Sequence, residues 1–262
     1  MRQFVLPPGW SSGPECVVTG EAARYLVSVL RLGPGDRFPG LDREGRRYEL
    51  EIRAIAQGRV DLAVRPELPP SRETESNRPG LSPRLVLVQA LPKGRKMDLV
   101  VRQAAEAGVA RIIPVESSRS VARISDEGGA SAKRARWERI VREALQQSGS
   151  SLRTEVDAPR PFRELAGVFG IPAPGRVGLF FHETPLDGAA LHRYLSGEPE
   201  EIAACVGPEG GFSSEEVLFL EGLGFRPAHL GPTVLRTETA ALYAVAAIQV
   251  ILRERSSWTP TA

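Results

Sequence analysis

The chain is poor in the residues that build metal and redox centres. Its 262 residues include two cysteines, three histidines and two methionines. Cys16 and Cys205 stand far apart without metal-ligand spacing, and they read as buried small hydrophobes of a reducing cytoplasm. His182, His192 and His229 lie in unrelated contexts, so no metal site is expected. No run of eighteen apolar residues occurs, which excludes a helical membrane span. The first ten residues carry one arginine and no continuous apolar stretch, so a secretory leader is not expected and a cytoplasmic protein is. An excess of one charge is also missing. Thirty-four Lys and Arg face 32 Asp and Glu, and a net charge of +2 does not by itself mark a nucleic-acid binder.

What is present is ordinary globular composition, 42% hydrophobic and 25% charged, in a chain long enough for one large or two modest domains. Basic residues are clustered. Lys133, Arg134, Arg136, Arg139 and Arg142 fall within ten positions that hold a single acid, Glu138, and Lys93, Arg95, Lys96, Arg119 and Arg123 lie upstream. Such clusters suit a phosphate backbone, although a solvated helix face has the same pattern.

Residues 1–66 alternate in short runs that predict strands at 3–6, 15–18, 37–41, 47–55 and 59–64. The turn at 42–45 suits a hairpin, with Gly45 free to take positive φ. One helix is expected over 20–32, capped by Thr19 and ended by Gly33-Pro34-Gly35. Five strands and a helix suggest a small barrel. Residues 66–83, rich in proline, serine and charge, have linker chemistry, and the expected division is 1–70, a linker at 71–83, and 84–262.

Beyond the linker the pattern turns to alternating strands and helices. Residues 85–91 form a near-continuous apolar run, expected of a strand buried on both faces. A helix over 97–107 ends at Gly108, a strand follows at 112–115, and a basic helix places Trp137, Ile140, Val141, Ala144, Leu145 and Ser148 on one stripe. Strands are expected at 176–182 and 202–206. Ser213 and Glu216 have capping-box spacing for a helix ending near Gly222, and a last helix over about 238–253 is apolar nearly all round. This is an α/β domain with a mostly parallel sheet.

Two stretches carry the chemistry, Val206-Gly207-Pro208-Glu209-Gly210-Gly211-Phe212 and residues 230–240, beginning Leu230-Gly231-Pro232. Each links an apolar run to a helix start, and such loops offer bare backbone N–H and C=O groups to a ligand. No lysine follows as in a phosphate-binding loop, and Glu209 places a negative charge inside the first one, which argues against phosphate. A cofactor with an adenine edge and a cationic centre fits better.

Both stretches resemble those of the SPOUT class of S-adenosylmethionine (SAM)-dependent RNA methyltransferases. More narrowly, they resemble the bacterial 16S ribosomal RNA uridine-N3 methyltransferase family (RsmE type). Residues 1–5, 29–32, 93–98, 106–109, 119–121 and Trp137 resemble further signatures of that family, in its order and along nearly the whole chain. The resemblance implies a PUA-like RNA-binding domain followed by a SPOUT α/β domain with a trefoil knot. It also implies a homodimer acting on uracil N3 in the 16S rRNA of the assembled small ribosomal subunit. SAM would be held by Phe181, His182, Glu183, Val206, Gly207, Gly210, Gly211, Leu230, Gly231, Val234, Leu235, Thr237 and Ala240, with Leu230, Val234 and Leu235 walling the adenine.

Arg236 is the candidate for catalysis, because a fixed positive charge beside the methyl group stabilises a uracil anion; a salt bridge with Glu209 or Glu238 is its structural alternative. Glu238 is the second candidate, although complementing the helix dipole explains it as well, and N-capping explains Thr237. His182 is a possible proton acceptor. Arg2, Arg24, Arg31, Lys93, Arg95, Arg119 and Arg123 are the candidate RNA contacts, laid across both domains. The chain departs from the family after Ala144: an acid is replaced by Gln146 and an arginine by Ser150, which bears on RNA affinity. Two other readings stay open: a SPOUT enzyme acting on another nucleotide or a ribose 2′-hydroxyl, and a non-catalytic RNA-binding assembly protein.

Overall fold

In the computed structural model the described residues are 3–7, 9–42, 44–66, 83–124, 127–150, 152–169, 173–188 and 190–254. The expected linker at 71–83 lies outside them except for Pro83. The chain divides into two compact units, Met1–Asn77 with Leu145–Arg153, and Arg78–Ala144 with Thr154–Ala262.

The first unit is a five-stranded sheet in the order β1-β3-β4-β5-β2: β1 (Phe4–Val5), β2 (Glu15–Thr19), β3 (Arg37–Leu41), β4 (Arg47–Ala56) and β5 (Arg59–Pro66). All pairings are antiparallel except β1 with β3. Gly45 has φ of 80°, as the β3–β4 turn requires. Phe4, Leu26, Leu50, Ile52 and Leu62 fill the core. The helix differs from expectation. Thr19 stands at the N-cap position with extended backbone, but its side chain makes no cap hydrogen bond, and Gly20 follows it at φ 62°. Helix α1 (Gly20–Arg24) then widens into a π-helical turn over Tyr25–Val29 and stops at Arg31, which takes φ of 57°, ahead of the glycines.

Gln146 and Ser150 belong to this unit. Gln3 donates from its backbone to the Gln146 carbonyl at 3.1 Å, and from its side chain to the carbonyls of Leu145 and Ser150 at 2.9 and 2.8 Å. The segment where the sequence departs from its family is thus held here by backbone atoms, which any side chain supplies.

The second unit is a parallel sheet in the order β12-β10-β11-β6-β7-β8, with β9 also paired to β7. Its elements are β6 (Arg84–Ala90), α2 (Lys96–Glu106), β7 (Arg111–Glu116), α3 (Glu127–Ser148), β8 (Glu155–Val156), β9 (Arg160–Pro161), α4 (Leu165–Val168), β10 (Arg176–Phe181), α5 (Leu191–Tyr194), β11 (Glu201–Val206), α6 (Ser214–Gly222), β12 (Arg226–Ala228) and α7 (Thr237–Glu254). Alternate residues of β6, Val86, Val88 and Ala90, pack into one core with Phe162, Leu165, Phe180, Phe212 and Leu220. The opposite face carries α7, whose buried side is Thr237, Ala241, Ala244, Val245 and Ile248. Two covered faces explain the unbroken apolar run of β6, each large side chain contributing about 1.5–3 kcal/mol on burial.

Helix α6 opens with the expected capping box, Ser213 Oγ accepting from the Glu216 amide and the Glu216 carboxylate accepting from the Ser213 amide. One local reading is corrected. Ser148 is exposed although it falls on the buried stripe of α3, and its hydroxyl accepts the Ser150 amide at the helix end. Helix α7 packs one side on the sheet and leaves Leu242, Tyr243 and Val250 exposed in the single chain. Both cysteines are buried, and burial pushes the Cys16 thiol up to about 11 and raises that of Cys205 as well. Among the described residues no helix is long and apolar enough to cross a membrane, and no cluster of three metal-ligating side chains occurs.

Candidate active site

The sheet itself assembles the site. Phe181 and Val206 end neighbouring strands in register with each other and with Gln89, the penultimate residue of β6, and Ala228 of β12 lies opposite Phe181. The loops that follow β10, β11 and β12 therefore leave the sheet at one level. In an open parallel sheet this edge, beside the strands where chain order reverses, is where ligands bind.

Three loops enclose a cleft there. It is lined by Phe181, His182 and Glu183 from the first, by Val206, Gly207, Pro208, Glu209 and Gly211 from the second, and by residues 229–231, 233–235, Thr237 and Ala240 from the third. All the residues singled out for cofactor binding line it except Gly210. That residue stands behind the loop, its carbonyl accepting from Arg119 Nη1 at 2.7 Å. Pro208, Glu209, His229 and Thr233 line the cleft without having been singled out. Pro208, Glu209 and Thr233 lie inside the two motifs and His229 directly before the second, so loop membership is the available signal.

Backbone governs the shape of the cleft. A Cβ on Gly207 would stand 3.3 Å from the Gly211 carbonyl carbon, so a side chain there would press on the backbone of its own loop. Gly231 has φ of 125°, a conformation open to glycine and strained for other residues. Thr237 is not an N-cap. It is the first helical residue of α7, buried, and its hydroxyl donates to the Gly207 carbonyl at 2.6 Å.

The charges rule against the structural alternative for Arg236. Arg236 is exposed and, among the described residues, pairs with no carboxylate. Lys96 takes both acids instead, with Glu209 at 2.8 Å and Glu238 at 3.3 Å, and Glu209 also accepts from the Lys93 amide. Glu238 is thereby occupied by Lys96 at the first turn of α7. Partial burial pushes the Glu209 carboxyl up, but the hydrogen bonds from Lys96 and the Lys93 amide outweigh it and hold the group below the usual carboxylate range. The Lys96 ammonium is raised, chiefly by its bond to Glu209. His182 Nδ1 lies 3.0 Å from the Thr184 hydroxyl and 3.3 Å from the Thr184 amide, so that nitrogen is engaged locally. The lining holds two carboxylates, Glu183 and Glu209, and neither lysine nor arginine.

A model of the RNA methyltransferase domain matches residues 80–249, and one of the RNA methyltransferase PUA domain matches residues 18–64. The ribosomal RNA small subunit methyltransferase E of Synechocystis is 33% identical over 91% of this chain and 74% of its own. The chain belongs to the ribosomal RNA small subunit methyltransferase E family. Two solved structures are similar across almost the full length. The Legionella pneumophila protein Lpg2936, in complex with SAM, has a TM-score of 0.80 at 29% identity, covering 95% of this chain and 96% of that one. The family member of Neisseria gonorrhoeae, bound to S-adenosyl methionine, has a TM-score of 0.77 at 28% identity, covering 96% and 98%. The fold is the α/β methyltransferase fold of these proteins, preceded by a PUA-like domain.

In this methyltransferase the candidate RNA-contacting residues fall into different settings. Arg2 lies outside the described residues. Arg24 is exposed and lines a groove of the first unit with Val27, Ile55 and Arg59, and Arg31 is exposed at the end of its helix. In the second unit Lys93 and Arg95 are exposed after β6. Arg119 is bonded to the Gly210 carbonyl, and Arg123 to Glu116 and the Ser118 carbonyl, so both brace loops.

The Lys96 hub has a measurable signature. Because the Glu209 value is depressed, its contribution to stability is present above the ordinary carboxylate range and is lost as pH falls through the depressed value. The raised Lys96 value adds stability below the ordinary lysine range, lost as pH climbs through it. Lys96→Met should shift the Glu209 carboxyl titration, followed by carbon NMR, to higher pH. An unmoved midpoint would mean that Lys96 is not the cause.

Proposed function

We propose that this enzyme transfers a methyl group from SAM to N3 of a uracil, uracil 1498, in the 16S rRNA of the assembled small ribosomal subunit. One observation carries the donor assignment. Two glycine-containing loops converge on a cleft whose lining has two carboxylates and no lysine or arginine. That balance disfavours phosphate and suits a ligand with a positive centre. The relatives bound to SAM support the same ligand.

The residues divide the work as follows. The backbone of 206–211 and 230–237 holds the donor, with Leu230, Val234 and Leu235 against the adenine and Phe181, His182, Glu183, Thr237 and Ala240 completing the walls. SAM, when bound, supplies an electrophilic methyl carbon. Uracil N3–H must lose its proton, and the charge then spreads onto the ring carbonyls. Arg236, between two lining residues and free of carboxylate partners among the described residues, offers a fixed positive charge to that anion. Arg24, Arg31, Lys93 and Arg95 position the RNA by its phosphates, and choice of base is left to the cleft. Residues 1–70 form the RNA-binding module and 84–262 the catalytic domain, with α7 passed through the preceding loop as a trefoil knot, in a cytoplasmic enzyme.

The function is tested by mass spectrometry of rRNA nucleosides from a strain lacking the gene. N3-methyluridine should disappear from small-subunit RNA and return with the gene. Its persistence would overturn the reading, and loss of a different methylated nucleoside would favour another SPOUT activity.

The same reading includes a homodimer. Leu242, Tyr243 and Val250 are 37%, 53% and 50% exposed along α7, a stripe of apolar surface that a second copy would cover. Sedimentation at micromolar concentration should give twice the mass of one chain, and Tyr243→Glu should halve it. A monomeric parent protein would remove this part.

A further inference from the structure

One polar side chain interrupts the apolar strand beneath the cleft. Gln89 is the penultimate residue of β6, in register with Val206 of β11 and Pro114 of β7, and is fully buried, with four buried residues before it. Its Nε2 donates to the Ala90 carbonyl at 2.8 Å and to the Thr237 hydroxyl at 3.1 Å, with the Val206 carbonyl at 3.5 Å. Its Oε1 has no hydrogen-bond partner among the described residues. These neighbours decide which way the amide faces. Turned by half a rotation, Oε1 would meet the carbonyl oxygens of Ala90 and Val206.

The consequence is a directed relay. An amide nitrogen only donates, so the Thr237 oxygen must accept from Gln89. The single proton of that hydroxyl is then left for the Gly207 carbonyl, 2.6 Å away. Gly207 opens the loop after β11, and Thr237 opens α7 where the last loop ends. Both line the cleft, whereas Gln89 does not. We propose that Gln89 is a positioning residue, a latch that sets the polarity of the Thr237 hydroxyl and so ties the two loops together before any ligand arrives.

This explains a glutamine after four residues of leucine and valine. A buried amide is costly unless it is hydrogen-bonded, and here the donors are used on the ends of β6 and β11 and on the start of α7, while Oε1 stays without a partner among the described residues. The relay also explains why the Thr237 hydroxyl is withdrawn from capping α7. The latch rests on the donor-site reading only for the identity of the ligand.

The test has two arms, applied to Gln89→Leu, Thr237→Val, the double variant and Thr237→Ser. In ligand-free protein, amide hydrogen exchange at Glu209–Gly211 and at Glu238 should quicken by about tenfold or more in either single variant, with β6 and β11 unchanged. In SAM titrations by calorimetry each single variant should lose about tenfold in affinity, the double variant no more than the weaker single, and Thr237→Ser should recover nearly all of it. Exchange confined to parent rates, or affinity losses that multiply in the double variant, would overturn the latch. If the parent protein binds no SAM, the donor assignment fails, while the exchange arm still decides the latch. If Gln89→Leu does not fold, Thr237→Val against Thr237→Ser carries both arms.

Discussion

Replacing Arg236 with alanine should slow methyl transfer to small subunits by on the order of 10²–10³-fold while leaving SAM affinity within about twofold. The expectation follows from where the residue sits. Leu235 and Thr237 on either side line the cleft, and Arg236 is exposed with no carboxylate to neutralise it among the described residues. Lys96 has taken Glu209 and Glu238, leaving the guanidinium charge available to a developing anion. Arg236→Lys keeps the charge but loses the planar fork, so it should recover only part of the rate. Single-turnover kinetics at saturating SAM, with calorimetry for donor affinity, separates the roles. An unchanged rate would remove Arg236 from the chemistry, and a matching fall in donor affinity would make it a binding residue.

Gly231→Trp should weaken SAM binding by about a hundredfold or more, through strain and loss of space together. Gly231 holds φ of 125°, and a Cβ placed there meets no atom within 4 Å. Gly231 lines the cleft, so the bulk of an indole there is expected to compete with the donor, and the backbone must also hold a conformation that L residues rarely adopt. Gly231→Ala separates the two effects, since it brings the strain with little of the volume. Calorimetric titration of both variants, with melting temperatures as a control for folding, reads the difference. Full affinity in a folded Gly231→Trp protein would place the donor elsewhere.

Features written locally were legible before any fold was known. The Ser213–Glu216 capping box needs only residues three positions apart, and the apolar run of β6 needs only a strand covered on both faces. The errors share one cause. Thr19 and Thr237 both have the composition of helix caps, yet the first makes no cap hydrogen bond and the Gly207 carbonyl draws the second, a partner 30 positions distant. A salt bridge to Glu209 or Glu238 is the structural alternative for Arg236, and Lys96 of α2 takes both acids instead. Hydrogen-bond and charge competition among residues distant in sequence is settled by geometry, and no local pattern encodes it.

The sequence alone determined the alternation of strands and helices, the glycine and proline loops, the absence of a phosphate-loop lysine, and the resemblance that led to the methyltransferase family. These are properties of residue type and order, carried by propensity, periodicity and spacing. Only the tertiary structure decided that Phe181, Val206 and Gln89 lie at one level, that Gly210 turns its carbonyl to Arg119 behind the cleft, and that a buried glutamine orients the threonine joining the two loops. The physical reason is register: parallel pairing of β10, β11 and β6 brings residues more than a hundred positions apart within hydrogen-bond reach, and the direction of each bond then depends on which donors and acceptors meet there.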